Sequence, residues 1–161
     1  MDSGTLITIR KLRADESPVC ERMLRALPEW FGIEEALTAY VKEAEVMDTW
    51  LALCDGEPAG FLTLRMHNVH AAEIQVMAVL PHLHRRKIGG ALVAYAETWL
   101  RARSTVYLQV KTLGPSRPNE HYARTRGFYE RMGFVPLEEN RLWGGTNPCL
   151  IMVKHLACAG L

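Results

Sequence analysis

The sequence predicts a single α/β domain built on one mixed sheet of six to seven strands, with helices on both faces. Three observations predict this class. The chain has 161 residues, enough for one domain, and 48% of them are hydrophobic, enough for a substantial core. Apolar patterns of strand and helix period follow one another in the order β-α-α-β-β-β-α-β-α-β-β. No repeat or linker divides the chain, so we expect one domain over 1–161 with a frayed tail over 155–161.

The first third of the chain predicts one strand and two helices. Alternating apolar and polar residues from Leu6 to Leu12 indicate an edge strand. The first helix is expected to be capped by Asp15 or Ser17, with Pro18 near its first position. Apolar residues at helical spacing indicate a second helix from Ile33 to Val46.

The rest of the chain predicts a hairpin followed by alternating strands and helices. Residues 49–66 read as two strands around the turn Asp55-Gly56-Glu57-Pro58. A mostly apolar strand spans Ala71 to Leu80, and a strong helix spans Ile88 to Arg101. The remaining predicted elements are a strand, a helix ended by Gly133 and two further strands, over 106–111, 119–132, 134–137 and 149–154.

Charge and cysteine usage argue against several classes of protein. The net charge of +1, from 19 Lys+Arg against 18 Asp+Glu, disfavours a nucleic-acid partner. No apolar stretch approaches the ~20 residues of a membrane span, and the first ten residues lack a signal-peptide pattern. The four cysteines are scattered without a C-x-x-C pair, which disfavours a disulfide framework or a cysteine metal site. We therefore expect a cytoplasmic protein without a membrane partner.

A basic loop between a strand end and a glycine-opened helix indicates an anion site. Val79-Leu80-Pro81 ends the strand, and the basic run His82 to Lys87 leads to Gly89 and Gly90 at the helix start. Free N–H groups and the helix dipole attract anions there, and glycines let a bulky anion approach the backbone. The arginines and lysine of the run add cations suited to phosphate. An ordinary strand-to-helix turn with surface arginines is the alternative interpretation.

Two motifs resemble the GNAT N-acetyltransferase superfamily. The run from Val79 to Leu92 resembles its acetyl-CoA signature, Gln/Arg-x-x-Gly-x-Gly/Ala after a V-x-P strand end. A second family element, Phe128-Tyr129-Glu130-Arg131-Met132-Gly133-Phe134, follows in the expected order. The match has departures: His84 replaces the usual Gln or Arg, Lys87 the first Gly, and Tyr122 a frequent Asn. Because both motifs occur with the right elements between them, the chain is identified as a member of this superfamily.

The resemblance implies acetyl-CoA as cosubstrate and no metal. In the family, the strand before the loop splays from the next parallel strand, and the pantetheine arm lies in that gap. We expect the strand backbone to pair with the pantetheine amides and the loop backbone to hold the diphosphate. The residues implied in cofactor binding are Met77, Ala78, Val79, His84, Arg85, Arg86, Lys87, Ile88, Gly89 and Gly90.

Acyl transfer to an amine requires a base, an oxyanion site and an acid for the leaving thiolate. The resemblance implies Glu73 as the general base, acting through water, and we expect burial to raise its pKa. An exposed strand position is the alternative for Glu73, and His67 and His70 are alternative bases. These histidines do not predict a metal pair, because residues three apart on a strand face opposite ways.

The resemblance also implies the remaining two catalytic groups. Tyr129 matches the family's tyrosine that protonates the CoA thiolate, and a packed helix aromatic is the alternative interpretation. A main-chain N–H near Met77 or Ala78 would stabilise the oxyanion. The implied reaction is direct attack of the amine on the thioester through a tetrahedral intermediate.

The acceptor is expected to be a primary amine of a small molecule. In the family, the first two helices and the last hairpin shape its site, so Trp30, Phe31, Tyr40, Arg141 and Trp143 are candidate wall residues. A place in the hydrophobic core is the alternative for Trp30 and Tyr40. The acidic first third would favour a cationic amine. The long loop over residues 112–119 is a candidate gate on the acceptor side.

Two other functions stay open at this point. The acceptor of a second hypothesis is a protein lysine or N-terminus, which needs an open groove. A third hypothesis is a non-catalytic acyl-CoA-binding regulatory module, which has no need of Glu73 or Tyr129. Because dimers are common in the family, the resemblance is compatible with a homodimer.

Overall fold

The elements follow the predicted order in the computed structural model, which describes residues 4–157. The strands are β1 (Ile7–Lys11), β2 (Asp48–Cys54), β3 (Glu57–Met66), β4 (Ala71–Val79), β5 (Tyr107–Leu113), β6 (Val135–Asn140) and β7 (Cys149–His155). The helices are α1 (Ser17–Arg25), α2 (Glu34–Val46), α3 (Ile88–Arg101) and α4 (Glu120–Arg131), with a 3₁₀ turn at Pro81–Leu83.

The seven strands of the described residues form one mixed sheet in the order β1-β2-β3-β4-β5-β7-β6. The α/β class and the mixed sheet are thus confirmed. Within this domain, the described chain divides into two compact units that are each discontinuous in sequence. The first unit holds residues 4–65 and 75–96, and the second holds residues 66–74 and 97–157.

The first unit contains an antiparallel β-meander, and helices α1 and α2 contribute residues to its hydrophobic core. β2 pairs with both β1 and β3. Asp55 (φ 50°) and Gly56 (φ 86°) form the two-residue turn between β2 and β3. Positive φ at both positions matches the type I′ turn that Asp-Gly favours in hairpins. The buried core cluster of this unit includes Cys20, Leu24, Leu37, Leu51 and Phe61.

Helix α1 begins at Ser17, with Pro18 in its first turn as predicted, but its cap is neither Asp15 nor Ser17. Glu16 occupies the N-cap position, and its carboxylate accepts hydrogen bonds from Arg10 at 2.7 and 2.8 Å. The Arg13 backbone N–H donates to the same carboxylate at 2.8 Å. The predicted cap is wrong because an arginine on the preceding strand holds Glu16 at this place.

In the second unit, the start of β4 pairs in parallel with β5, over Ala71–Ile74 and Tyr107–Val110. β7 pairs antiparallel with both β5 and β6. Side chains alternate across these strands. Leu108 and Met152 on one face are fully buried, whereas residues of the opposite face, such as Gln109 and Val153, are half-buried. The second face is the one on which Glu73 lies, since Glu73 is in register with Gln109.

β6 is an edge strand of the sheet, and its residues are exposed except for the half-buried Asn140. It contains Pro136, and its register with β7 shifts between Pro136 and Glu138. Val135 and Leu137 are 59% and 63% exposed. Neither face of this strand is therefore covered within its unit.

The chain remains ordered past the predicted last strand. β7 includes His155, and Leu156 is buried while its N–H donates to the Val106 carbonyl at 2.7 Å. The expected tail over 155–161 thus overlaps a strand at its start. Residues 158–161, including Cys158, lie outside the described residues. Within residues 4–157, none of the helices has the length and apolar character needed to cross a membrane.

Candidate functional site

The predicted anion loop lies in the first unit, between the end of β4 and the start of α3. Gly60 of β3 lies against the last residues of β4, where a Cβ would stand 2.7 Å from the Ala78 carbonyl oxygen. That approach is too close for any residue with a side chain. The Leu80 N–H then donates to the Ala59 carbonyl at 2.9 Å and fixes the exit of the strand.

The loop backbone is held in a conformation that non-glycine residues seldom adopt. Arg85 (φ 69°) and Lys87 (φ 63°) both have left-handed φ angles. Lys87 stands where the family signature has a glycine, and it keeps the positive φ that glycine adopts easily. Such strained residues persist where the surrounding structure requires that backbone course, and they occur often at ligand-binding sites.

The cations of this loop are free of carboxylate partners. Arg85, Arg86 and Lys87 are exposed, and none forms an ion pair with an Asp or Glu of residues 4–157. Ile88, by contrast, is buried and anchors the first turn of α3. The loop therefore presents three positive charges beside a helix start, as an anion site requires.

His84, expected among the cofactor-binding residues, is turned back onto the strand. Its Nε2 lies 2.7 Å from the Val79 carbonyl oxygen. Its ring also makes an edge contact with Trp30, at 6.0 Å between ring centroids. The imidazole thus links the loop to β4 and to the segment after α1.

The aromatic wall residues expected on the first unit pack against its core. Trp30, Phe31 and Tyr40 are partly buried against the core cluster. Phe31 and Tyr40 also contact each other edge to face, at 6.0 Å. The alternative that places Trp30 and Tyr40 in the hydrophobic core is therefore correct for the buried part of each side chain.

Part of the acidic charge of the first third is neutralised by ion pairs. Glu34 pairs with Arg25 at 2.7 Å, and Glu43 pairs with Arg65 at 3.5 Å. Paired charges create a weaker long-range electrostatic field. The attraction of these acidic residues for a cationic amine is therefore weaker than expected.

Glu73, on β4 in the second unit, is the centre of a polar cluster. Its side chain is only 6% exposed, so the exposed-strand alternative is wrong. Its Oε1 lies 2.8 Å from His67 Nε2, and it accepts hydrogen bonds from Gln109 Nε2 at 2.9 Å and Lys111 Nζ at 3.0 Å. Glu73 and His67 are separate candidate bases in the sequence, and the structure brings them into contact.

The pKa of Glu73 shifts in the direction opposite to the expectation. Burial alone raises the pKa of this carboxyl, but hydrogen bonds from Gln109, His67 and Lys111, with the Lys111 charge, lower it below its usual 4.5. The carboxylate is therefore ionised at neutral pH and satisfied on Oε1, which makes it a weaker base than expected.

Gln109 and Lys111 are the members of this cluster that sequence analysis missed. Both lie on β5, two residues apart, so their side chains share one face of the sheet. That period-two pattern was present in the predicted strand. Only the parallel register of Glu73 with Gln109 shows that this face is also the face of Glu73.

His67 and His70 differ in their surroundings. Both lie in the turn between β3 and β4, where the Asn68 Oδ1 accepts the N–H groups of His70 and Ala71 at 2.8 and 3.1 Å. The His67 ring contacts the Glu73 carboxylate, whereas the exposed His70 side chain makes no bond to it. Of the two alternative bases, only His67 joins the Glu73 cluster.

Tyr129, on α4 in the second unit, is buried, with 5% exposure. Its ring makes edge contacts with Phe128 and Phe134, at 5.2 and 5.4 Å between centroids. Burial raises the pKa of its phenol, so the hydroxyl holds its proton through the neutral and mildly alkaline range. It is not among the hydrogen-bond donors to Glu73.

The loop predicted over 112–119 begins after Leu113 in the structure, because β5 includes residues 112 and 113, and it is tied to the β6–β7 connection. The Gly114 N–H donates to the Pro148 carbonyl at 2.9 Å, and Arg117 Nη1 donates to the Thr146 carbonyl at 3.3 Å. Arg126 of α4 donates to the Leu113 carbonyl at 2.7 Å. These bonds hold the loop closed on its own unit, which disfavours its expected role as a gate.

Trp143, the wall residue expected on the last hairpin, lies in the β6–β7 connection of the second unit and is 41% exposed. Its neighbours Arg141 and Leu142 are exposed as well. No group of three or more His, Cys, Asp or Glu within residues 4–157 is arranged to hold a metal ion.

Comparisons with known proteins agree with this architecture. Residues 46–136 match the family model described as "Acetyltransferase (GNAT) domain". This match covers more than half of the chain and includes the loop, Glu73 and Tyr129. No curated protein sequence matches the chain.

Solved structures of low sequence identity share the fold. The chain is similar to the ribosomal-protein-S18-alanine N-acetyltransferase of Escherichia coli, with a TM-score of 0.77 and 19% identity over 96% of this chain and 97% of that one. It is also similar to the aminoglycoside 6'-N-acetyltransferase of Enterococcus faecium, with a TM-score of 0.70 and 18% identity over 96% and 99%. An Elizabethkingia anophelis GNAT family acetyltransferase with acetyl-CoA bound has a TM-score of 0.73 and 17% identity over 93% and 98%.

Proposed function

The chain belongs to the GNAT acetyltransferase family, and from this premise we propose that it transfers an acetyl group from acetyl-CoA to a primary amine of a small molecule. The observation that carries the proposal is the loop between β4 and α3. Its left-handed Arg85 and Lys87, three unpaired cations and the start of α3 suit a diphosphate.

We assign the contacts to the cofactor mainly to the protein backbone. The backbone of Met77, Ala78 and Val79 pairs with the pantetheine amides, and the backbone from Arg85 to Gly90 holds the diphosphate. A relative of similar fold has been solved with acetyl-CoA bound, which supports this cosubstrate. The His84 ring shapes the loop by its bond to the Val79 carbonyl, so its role is positional. We propose that the reaction does not use a metal ion.

The reaction proceeds by direct attack of the amine on the thioester carbonyl. The new C–N bond forms a tetrahedral intermediate, whose oxyanion accepts a hydrogen bond from a main-chain N–H near Met77 or Ala78. The C–S bond then breaks, and the sulfur takes the proton of the Tyr129 hydroxyl. The raised pKa of Tyr129 keeps this proton in place until the thiolate departs. The amine proton passes to the Glu73 cluster.

The acceptor amine could belong to a small molecule or to a protein. The fold is shared by an aminoglycoside acetyltransferase and by a protein N-acetyltransferase, so the fold supports either kind of acceptor. We favour a small molecule, with Trp30, Phe31 and Trp143 as wall residues. A cytoplasmic location and a homodimer stay predictions from the sequence.

Thiol release from acetyl-CoA tests the function. Small primary amines and peptides with free N-termini or lysines are compared as acceptors for wild type and Tyr129→Phe. We expect at least one small amine to raise turnover well above hydrolysis, and Tyr129→Phe to lower kcat by about 10²-fold with unchanged CoA affinity. Turnover only with peptides would favour a protein acetyltransferase. CoA binding without amine-dependent turnover would identify a binding module.

A further inference from the structure

His67 lies at the open end of the Glu73 cluster. Its side chain is 36% exposed, whereas the Glu73 side chain that it contacts is 6% exposed. The other two members of the cluster, Gln109 and Lys111, approach the carboxylate from β5. The imidazole therefore connects a buried carboxylate with the solvent-accessible side of the sheet.

The hydrogen bonds assign the proton of the His67 ring. Glu73 Oε1 accepts hydrogen bonds from Gln109 and Lys111, and an ionised carboxylate only accepts. His67 Nε2, 2.8 Å from that oxygen, must therefore carry the ring proton. A neutral imidazole has one N–H, so Nδ1 has a free lone pair. Nδ1 takes part in none of the hydrogen bonds of the described chain.

The turn that carries His67 is fixed by its own hydrogen bonds. The His67 N–H donates to the Ala71 carbonyl at 3.0 Å. The Asn68 side chain holds the other end of the turn by accepting from His70 and Ala71. The backbone of His67 is thus fixed by the turn, and its ring is fixed by the Glu73 carboxylate. This is the arrangement that orients a catalytic base.

We propose that His67 is the general base of the acetyl transfer and that Glu73 is the residue that positions it. This rests on the proposed function. Nδ1 accepts the proton of the attacking nitrogen as the C–N bond forms, and the C–S bond then breaks as sulfur takes the Tyr129 proton. The resulting imidazolium faces the Glu73 carboxylate, with the Lys111 ammonium beside it. It releases its proton to solvent, from which the Tyr129 phenolate regains one.

The chemistry differs from direct proton abstraction by Glu73. Glu73 stays ionised throughout, since it is already bonded by three donors on Oε1. An imidazole with an unprotonated ring nitrogen is also the side chain that most often serves as a general base. The charge pair that forms between imidazolium and carboxylate stabilises the proton-transfer step.

One readout of the test does not require turnover. Two-dimensional ¹⁵N NMR of the labelled protein near pH 8 reports which ring nitrogen of His67 is protonated, with His67→Gln used to assign the signal. We expect the Nε2–H tautomer with an unprotonated Nδ1. The Nδ1–H tautomer would overturn the proposal even if no acceptor amine were found. This measurement therefore separates a failure of the His67 assignment from a failure of the proposed function.

The second readout is kinetic. With an amine that supports turnover, His67→Ala should lower kcat/KM by about 10²-fold or more, with unchanged CoA affinity. Imidazole added to the buffer should restore part of that rate. The acidic limb of the pH profile should disappear in His67→Gln, and Glu73→Gln should lose less activity than His67→Ala. His155→Ala, at an exposed histidine of the same unit, is the matched control and should keep full activity.

Three kinetic outcomes would overturn the assignment. They are a His67→Ala rate within about twofold of wild type, a larger loss in Glu73→Gln than in His67→Ala, and no rescue by imidazole where small amines are accepted. A merely structural role of His67 would leave the pH profile unchanged.

Discussion

At the scale of single residues, hydrogen bonding decides the chemistry of the second unit more than burial does. Glu73 and Tyr129 are about equally buried, at 5% exposure each. The pKa of Glu73 is nevertheless lowered, because three donors favour its charged form. The pKa of Tyr129 is raised by desolvation. The two shifts widen the ordinary difference between a carboxyl and a phenol, so at neutral pH Glu73 is ionised and Tyr129 holds its proton, as suits a fixed carboxylate and a proton donor.

The alkaline stability of the protein should depend on Tyr129. A pKa raised above the usual 10.0 in the folded state gives a stability contribution that is present below pH 10 and is lost as the pH rises further. Tyr129→Phe should remove this dependence, so its unfolding free energy should fall less than that of wild type between pH 9.5 and 11. Urea unfolding across that range measures the difference. Parallel curves for the two proteins would contradict the prediction.

At the scale of secondary-structure elements, the start of α1 depends on a residue that helix-capping rules do not select. The carboxylate of Glu16 is held by the Arg10 guanidinium and by the Arg13 N–H. These contacts lower its pKa from 4.5 to about 2, with the Arg10 hydrogen bonds as the largest cause. Strand β1 and helix α1 are thus joined by one charged pair.

Acid should weaken this junction. A lowered pKa contributes stability that is fully present above the unfolded value of 4.5 and is lost as the pH falls to about 2. Glu16→Gln should therefore be less stable than wild type at pH 6, and the difference should vanish near pH 2. Denaturant unfolding from pH 2 to 7 measures it. Glu29→Gln, at an exposed glutamate without an ion pair among the described residues, should show no such convergence.

The loop before α3 allows the effects of charge and of backbone strain to be separated at Lys87. Lys87→Gly removes both the cation and the left-handed φ penalty, so we expect up to about fivefold weaker CoA binding with up to about 1 kcal/mol of added stability. Lys87→Ala removes the cation and keeps the strain, so it should bind as weakly without that gain. Calorimetry and thermal unfolding measure both. Wild-type affinity in both variants would show that Lys87 does not contact the cofactor.

Gly89 tests the same loop from the side of the helix. A glutamate there places a negative charge at the diphosphate position, while an acid in the first turn of a helix is favourable for the fold. Gly89→Glu should abolish CoA binding in calorimetry and leave the thermal midpoint near that of wild type. Unchanged affinity would contradict the assigned loop.

At the scale of the whole molecule, the order of elements could be predicted from local patterns, whereas long-range partners could not. Strand and helix periods and the Asp55-Gly56 turn signal are local, and they gave the correct succession of eleven elements. The donors to Glu73 lie 36 and 38 residues further along the chain, on a strand whose register local patterns do not specify. Leu156 is ordered by a bond to Val106, which a terminal position does not suggest.

One largely buried ion pair connects three elements of the second unit. Lys154 Nζ of β7 lies 2.6 Å from Glu97 of α3 and donates to the Met132 carbonyl at the end of α4. Glu97→Leu alone should cost about 2–3 kcal/mol, because it leaves a largely buried ammonium without its anion. The double variant with Lys154→Met should recover most of that loss. A thermodynamic cycle by chemical denaturation measures the coupling, and additive effects would contradict it.

The exposed edge strand β6 limits how copies of this protein can assemble. A free edge invites another chain to extend the sheet, but Pro136 has no N–H to offer, and the register shift beside it bends the strand. Glu138 and Glu139 would bring carboxylates into any added ladder. Continuous sheet formation across two subunits through β6 is therefore disfavoured, and the same features protect the protein from strand-by-strand aggregation at this edge.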